Sequence, residues 1–390
     1  MASKDKPYRV YRGGRAKGPV PKEAPRGRGE RGTDGEGPYA RPSRKGRPRR
    51  KRRWLRIAGI VLLIVLLLSM VWAVLGYLAF RSGVKEANAR LDSRAYRVLA
   101  PQDGLVLSNP STILVLGTDE GPNRTGPFRS DAMMLVRTDP DAHRMAMLSI
   151  PRDLRVDIPG RGSEKVNAAY AFGGPTLAIR TVQALTGIPI NHVMVVDFSK
   201  FKEVIDALGG VTINVPAPIL SNKFECPYPT QARCDRWEGW RFAKGVQHMD
   251  GRRALIYSRV RQNQLNPAES DITRGERQQA VLQAMMDEIT SLGTFVRMPF
   301  IGDDLVAPLA TDMSANQLLQ LGWVTKRMPA SGELRCRLGG DIADLDGQSF
   351  IIGTEENASV IAMVTGDSAP QPPPPGSGPF GPGCLVGRSG

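Results

Sequence analysis

Two groups of residues carry side chains able to do chemistry. The first stands at the ends of short apolar runs: Asp119 after ILVLGT, Arg129 and Asp131 before AMMLV, and Arg152 with Asp153 after LSIP, where Pro151 stops the run. Arg259 and Arg261 add two guanidiniums at a spacing of two, which an extended segment would place on one side. The second group lies on a stretch from Asp271 to Leu292 that reads as one long helix. At about 100° per residue, Asp271, Arg274, Gln278, Leu282, Met285 and Ile289 fall within an arc of about 80°. That stripe is apolar over its last turns and polar over its first, on the face that should point inward.

Guanidinium forks match phosphate oxygens two at a time, and aspartate oxygens suit a hard cation such as Mg²⁺ that keeps its waters and bridges phosphates. Together these residue types point to a diphosphate held with a divalent cation. In open α/β sheets the ligand crevice lies beyond the carboxyl ends of the strands, where Asp119 and Arg152 fall. Taken singly, each Arg or Asp reads more readily as a surface ion pair or a solvated helix start than as a ligand. Only convergence in space separates the two readings.

Other chemistries lack their markers. There is no GxSxG, and His143, His192 and His248 have no partner pattern, which disfavours acyl transfer. GxxxxGK[ST] and a GxGxxG at a strand-to-helix turn are absent, and four scattered Cys without CxxC exclude a structural zinc site. The chain has 53 Lys+Arg against 38 Asp+Glu, a net of +15, but residues 1–53 alone hold 19 basic and 5 acidic residues. The remainder is nearly neutral, so nucleic acid is not the expected partner.

The elements that would position these residues follow from the apolar pattern. Runs at 112–117, 132–138 and 144–150 have strand length. A helix at 175–187, a strand at 192–198, a helix at 199–208 and a strand at 211–215 follow, with Gly209 and Gly210 as the helix stop. A helical piece at 252–258, the long helix and a further helix, strand and strand–helix pair over 312–365 complete a mixed α/β sheet flanked by helices. Residues 1–53, rich in Arg, Gly and Pro, are expected to be a disordered basic cytoplasmic tail. Residues 54–80 are expected to be a transmembrane helix, since 57–80 carry no charge over a length that crosses about 30 Å of hydrocarbon. The run RKGRPRRKRR beside it puts the N-terminus in the cytoplasm, against anionic lipid, and the body outside. A juxtamembrane linker then spans 81–110, the main domain 111–366, and a Pro/Gly-rich disordered tail 367–390. In an oxidising exterior, Cys226 and Cys234 are expected to form a loop disulfide; Cys336 with Cys384 is the remaining pairing, which spacing does not fix.

The blocks ILVLGTDEGPNRTGPFRSDAMMLV, LSIPRDLRVDIPG, EKVNAAYAFGGP, VDFSKFKEVIDALGGVTINV, GRRALIYSRVR and SDITRGERQQAVLQA together resemble the LytR-CpsA-Psr family of cell-wall glycopolymer ligases. The Gly-, Pro- and Arg-rich composition fits its actinobacterial type. The resemblance implies a mixed sheet enclosing an apolar channel for a polyprenyl chain, with helices over 175–208 as candidate lining and a mouth that binds pyrophosphate. It implies transfer of a glycopolymer phosphate from a polyprenyl-pyrophosphate donor to a sugar hydroxyl of peptidoglycan, with Mg²⁺ or Mn²⁺ as cofactor. By the same resemblance Asp119 and Asp131 hold the cation, and Arg129, Arg152, Arg259, Arg261 and Arg274 clamp the diphosphate. Gln278 contacts the head group, Asp271 orients arginines or acts in proton transfer, and Lys165 stands at the pocket entrance. Two alternatives use the same residues: a carrier-lipid-binding scaffold or regulator without turnover, and a polyprenyl-pyrophosphate pyrophosphatase.

Overall fold

The computed structural model describes residues 49–118, 130–266, 271–345, 347–374 and 381–387. The chain falls into two units, Met1–Ile60 and Val61–Gly390, and the packing that follows is that of the second. In chain order, α1 (Arg49–Arg90) and the single turn α2 (Ser93–Tyr96) lead into β1 (Ser111–Thr118), β2 (Ser130–Asp139) and β3 (Arg144–Ile150). A hairpin of β4 (Arg155–Ile158) and β5 (Gly162–Lys165) precedes α3 (Ala168–Thr186), β6 (His192–Asp197), α4 (Phe198–Leu208) and β7 (Val211–Val215). Next come β8 (Ile219–Leu220), α5 (Gln231–Arg236), β9 (Arg241–Phe242), β10 (Gly245–Met249) and α6 (Gly251–Arg259). The rest is α7 (Asp271–Ile289), α8 (Leu292–Ile301), β11 (Leu309–Thr311), α9 (Ala315–Arg327), β12 (Glu333–Arg337), β13 (Gly340–Leu345), β14 (Gln348–Gly353), α10 (Glu356–Thr365) and β15 (Gly383–Val386).

The central sheet has seven strands in the order β11-β6-β1-β2-β3-β12-β15. β6 runs parallel to β1 and β12 parallel to β3, while the other neighbours are antiparallel, so the sheet is mixed. Strand alternation sends each apolar run to both faces. Leu114 and Leu116 of β1, with Met133 and Leu135 of β2, pack among Ala178, Ile179 and Val182 of α3. Ile113 and Val115, with Met134 and Val136, face the other way, toward α7. Both faces are covered, which is why these strands read as continuous apolar runs and not as alternating ones.

Three boundaries differ from the sequence expectation. Arg53–Arg90 contains the one stretch among the described residues long and apolar enough to cross a membrane. The helix does not end with it: Phe80, Val84 and Ala87 recur every three to four residues and are buried with Val204, Ile205 and Leu208 of α4, so the domain begins well before 111. The long helix stops at Ile289, and Ser291, whose Oγ accepts from Thr294 N at 3.1 Å, caps a separate α8. The Pro/Gly-rich stretch from 367 is not wholly without structure: Gly383–Val386 forms the edge strand β15, paired with β12 and tied to it by Cys336–Cys384. Cys226 and Cys234 form the second disulfide.

Candidate functional site

The more polar of two cavities, about 140 Å³ in volume and with six charged residues in its wall, opens beside the carboxyl end of β3. Four guanidiniums line it, Arg152, Arg274, Arg335 and Arg337, against two carboxylates, Asp153 and Glu276, which leaves a positive balance for an anion. Pro151 ends β3, and the turn behind it is held where Leu154 N donates to Pro151 O and Ile351 N to Asp153 O. Asp153 receives Arg152 Nε at 3.1 Å and Lys165 Nζ at 3.0 Å. Burial alone would raise this carboxyl, but Arg152 and Lys165 outweigh it and hold the group below the ordinary carboxylate range. Lys165 itself is absent from the cavity wall; it acts on Arg152 through their shared aspartate and lies over the Phe350 ring.

The opposite contribution comes from the first turns of α7. Arg274 is buried, and Gly275 lets the helix close on β3, since a Cβ there would stand 2.8 Å from Ser149 Oγ. Gln279, also buried, donates to Met147 O at 3.3 Å and Cys336 O at 3.0 Å, bridging β3 and β12. Arg337 donates to Glu276 at 3.1 Å and to Gly381 O at 2.7 Å, so the wall is completed by the chain that carries β15.

A second cavity, of about 250 Å³, runs between the sheet and α7. Its lining is almost wholly hydrocarbon: Val115, Met134, Met194 and Val196 from the strands, Leu282 and Met285 from α7, Leu318 and Leu321 from α9. Ala132 and Gln278 line both cavities, so a guanidinium-lined compartment adjoins a hydrocarbon-lined one at those two side chains. The expected lining from 175–208 is corrected in half: Phe201 and Val204 of α4 contribute, but the α3 residues pack on the other face of the sheet.

The structure brings Arg152, Arg274 and Gln278 to the polar cavity. Arg259 and Arg261 are not in its wall and do not lie on one extended piece. Arg259 ends α6, pairs with Glu225 beside the Cys226–Cys234 loop, and Arg261 follows after the cap Val260. Arg277 Nη1 donates to Val260 O at 3.0 Å, which tethers that stretch to the first turns of α7. Asp119 and Arg129 lie outside the described residues, as do the side chains of Asp131 in β2 and Asp271 in α7. The sequence reading missed Arg335, Arg337 and Glu276; the alternation LRCRL in β12, two arginines on one face of a strand, was the available signal. Among the described residues no three His, Cys, Asp or Glu side chains converge on a point.

The chain is 32% identical over 281 residues, 70% of its length and 81% of the relative's, to the polyisoprenyl-teichoic acid–peptidoglycan teichoic acid transferase TagU of Oceanobacillus iheyensis. It is 29% identical to the TagT transferase of Bacillus subtilis over 72% of this chain and 83% of that one. Among solved structures, TagT bound to LIIa-WTA superposes with a TM-score of 0.54 at 28% identity, covering 68% of this chain and 93% of that chain. A LytR-CPS2A-psr family protein with bound octaprenyl pyrophosphate lipid superposes at 0.51 with 27% identity and the same coverage. The LytR_cpsA_psr family model matches residues 77–361, and the chain belongs to that family.

Proposed function

We propose that this protein is a membrane-anchored phosphotransferase that moves a glycopolymer phosphate from a polyprenyl-pyrophosphate donor to a sugar hydroxyl of peptidoglycan. The observation that carries the reading is the shared wall at Ala132 and Gln278. A donor with a diphosphate at one end and an isoprenoid chain at the other needs one cationic and one hydrocarbon compartment in direct succession. TagU of Oceanobacillus iheyensis and TagT of Bacillus subtilis are named as teichoic acid–peptidoglycan transferases, and one solved relative holds octaprenyl pyrophosphate, which supports the same class of donor and acceptor here.

In the proposed reaction the acceptor hydroxyl oxygen bonds to the glycan-side phosphorus. The P–O–P bridge breaks, polyprenyl phosphate leaves, and the hydroxyl proton passes to a base. Arg152 and Arg274 would neutralise the charge that collects on the phosphoryl oxygens and leaving group, with Arg259 and Arg261 joining them from the stretch tethered by Arg277. Such a transfer needs alignment and charge compensation more than a protein nucleophile, in keeping with a site of arginines and an amide. Asp119 and Asp131 are the proposed holders of Mg²⁺ or Mn²⁺, which would add charge neutralisation at the diphosphate; Asp153 is already committed to Arg152 and Lys165. Arg129 is proposed at the diphosphate and Asp271 as the element that orients arginines or takes the proton.

We place the N-terminus in the cytoplasm and the domain outside, supported by the polybasic run at 44–53 and by two disulfides in the domain. The test is the full chain in vesicles with a polyprenyl-diphosphate-linked glycan, Mg²⁺ and peptidoglycan. Covalent glycan on the peptidoglycan with release of polyprenyl phosphate is expected. Binding without product overturns the proposal in favour of a scaffold, and phosphate release indifferent to acceptor in favour of a pyrophosphatase.

A further inference from the structure

α8 wears its apolar side chains on the outside. Leu292, Phe295, Val296 and Phe300 are 78, 58, 53 and 69% exposed, and their spacing gathers them on one face. The single charged residue of the helix, Arg297, is exposed, but its guanidinium is held at the end of α4, where its two Nη groups donate to Leu208 O at 3.0 Å and Ala207 O at 2.9 Å. Apart from Arg297, whose two Nη groups are bound to α4 carbonyls, the outer face offers hydrocarbon and aromatic rings.

What lies against this helix is α1. Trp72 Nε1 donates to Val296 O at 3.0 Å, and the Trp72 and Phe300 rings meet edge-on at 5.3 Å. Gly76 permits the approach, since a Cβ there would stand 3.2 Å from Met298 Cγ. Trp72 comes before Phe80, the last residue of the uncharged run, by about 12 Å of helical rise. A helix fixed to a membrane span at that level lies in the membrane with it. α9 approaches the same turns, with Tyr77 OH donating to Asn316 Oδ1 at 3.1 Å. Its Leu319 and Trp323 follow Asn316 along one stripe and are exposed, with Arg327 over the Trp323 ring at 5.0 Å, the aromatic–basic pairing of a headgroup layer. Between these elements end the walls of the hydrocarbon cavity: Ile289 and Thr290 just before α8, Leu318 and Gly322 on α9.

We propose that α8 is a second membrane-embedded element, inserted beside α1 in the leaflet nearest the domain, so that the hydrocarbon cavity opens to lipid and not to water. The occupant of the exposed face is the bilayer, because the face is continuous with the span through Trp72 and Phe300. A polyprenyl chain could then pass sideways from the bilayer into the cavity with no aqueous step. The inference rests on α1 being a membrane span.

The experiment uses the full chain in vesicles of phosphatidylglycerol and phosphatidylethanolamine, spin-labelled at one added cysteine: Val296→Cys, Leu63→Cys on α1, or Val246→Cys on β10. All three sites are exposed, and the native cysteines are paired in disulfides. The labels at 296 and 63 are expected to relax more with oxygen than with a water-soluble nickel chelate, and the label at 246 the reverse. If 296 behaves like 246 while 63 stays oxygen-rich, the proposal fails and the anchoring stands. If 63 is also chelate-rich, the anchoring fails and takes the proposal with it. Shielding of 296 from both reagents with spin–spin broadening would mean that a second copy covers α8, which also overturns it.

Discussion

Lys165 Nζ and Asp153 Oδ1 stand 3.0 Å apart, joining the end of β5 to the turn after β3, and the same carboxylate holds Arg152 at the polar cavity. Because the Asp153 carboxyl is depressed in the folded protein, its stabilising effect is complete above the ordinary aspartate value near ~3.9 and is lost as pH falls through the lowered one. Asp153→Asn is expected to remove about 1 to 3 kcal/mol of stability at pH 7 and to flatten the acid limb of the stability curve. Denaturant titrations from pH 7 to 2.5 measure both. A variant whose acid limb superposes on that of the parent would show that the carboxylate is not what links the three groups.

Arg274 is buried in the cavity wall, and the proposed function has its guanidinium act at short range on phosphoryl oxygens. Arg274→Ala is expected to lower kcat/KM by about 10²-fold, and Arg274→Lys to recover part of it, since the charge returns without the fork. Circular dichroism establishes that the variants are folded. Equal activity of all three proteins would remove Arg274 from the clamp.

Leu282 projects into the hydrocarbon cavity from the middle of α7. Leu282→Trp should fill part of that space and weaken binding of a long polyprenyl diphosphate more than tenfold, with little effect on a short, water-soluble isoprenoid diphosphate. Calorimetric titration with both ligands separates the compartments; parallel losses would mean that the cavity does not receive the chain.

Cys336–Cys384 closes a sequence separation of 48 and pins β15, whose Gly383 and Leu385 line the polar cavity. By loop-closure entropy its removal is expected to cost about 4 kcal/mol, against about 2.5 kcal/mol for Cys226–Cys234 with a separation of 8. Cys384→Ser should also weaken diphosphate binding, and by more than Cys234→Ser, whose loop reaches the proposed clamp only through the Glu225–Arg259 pair. Unfolding curves and diphosphate affinities of the two variants test the order.

Much of the scaffold was legible because its signals are local. VTINV becomes β7 over Val211–Val215 and RMAMLSI becomes β3 over Arg144–Ile150, each with the bounds that its apolar run has in the sequence. The α7 stripe was legible for the same reason: helical period alone puts Arg274 and Gln278 above Leu282 and Met285. What escaped depends on partners distant in the chain. β12 with Arg335 and Arg337 lies beside β3 only through sheet order, and β15 forms inside a Pro/Gly-rich stretch because a disulfide and one neighbouring strand hold it. The two faces of β1 and β2 are equally apolar, so no pattern told which would pack solidly on α3 and which would leave a cavity. Arg259 escaped its extended assignment because Asp250 caps a helix that runs up to it, its side chain accepting from Arg253 N at 2.7 Å.

The amide of Gln278 marks where cationic lining gives way to hydrocarbon. An amphiphile can satisfy both sides only if its own change from charge to oil falls at that residue. One with a longer polar neck would strand methylenes among guanidiniums, and one with a shorter neck would drag phosphate into grease. Selection at this junction therefore measures where a molecule changes character.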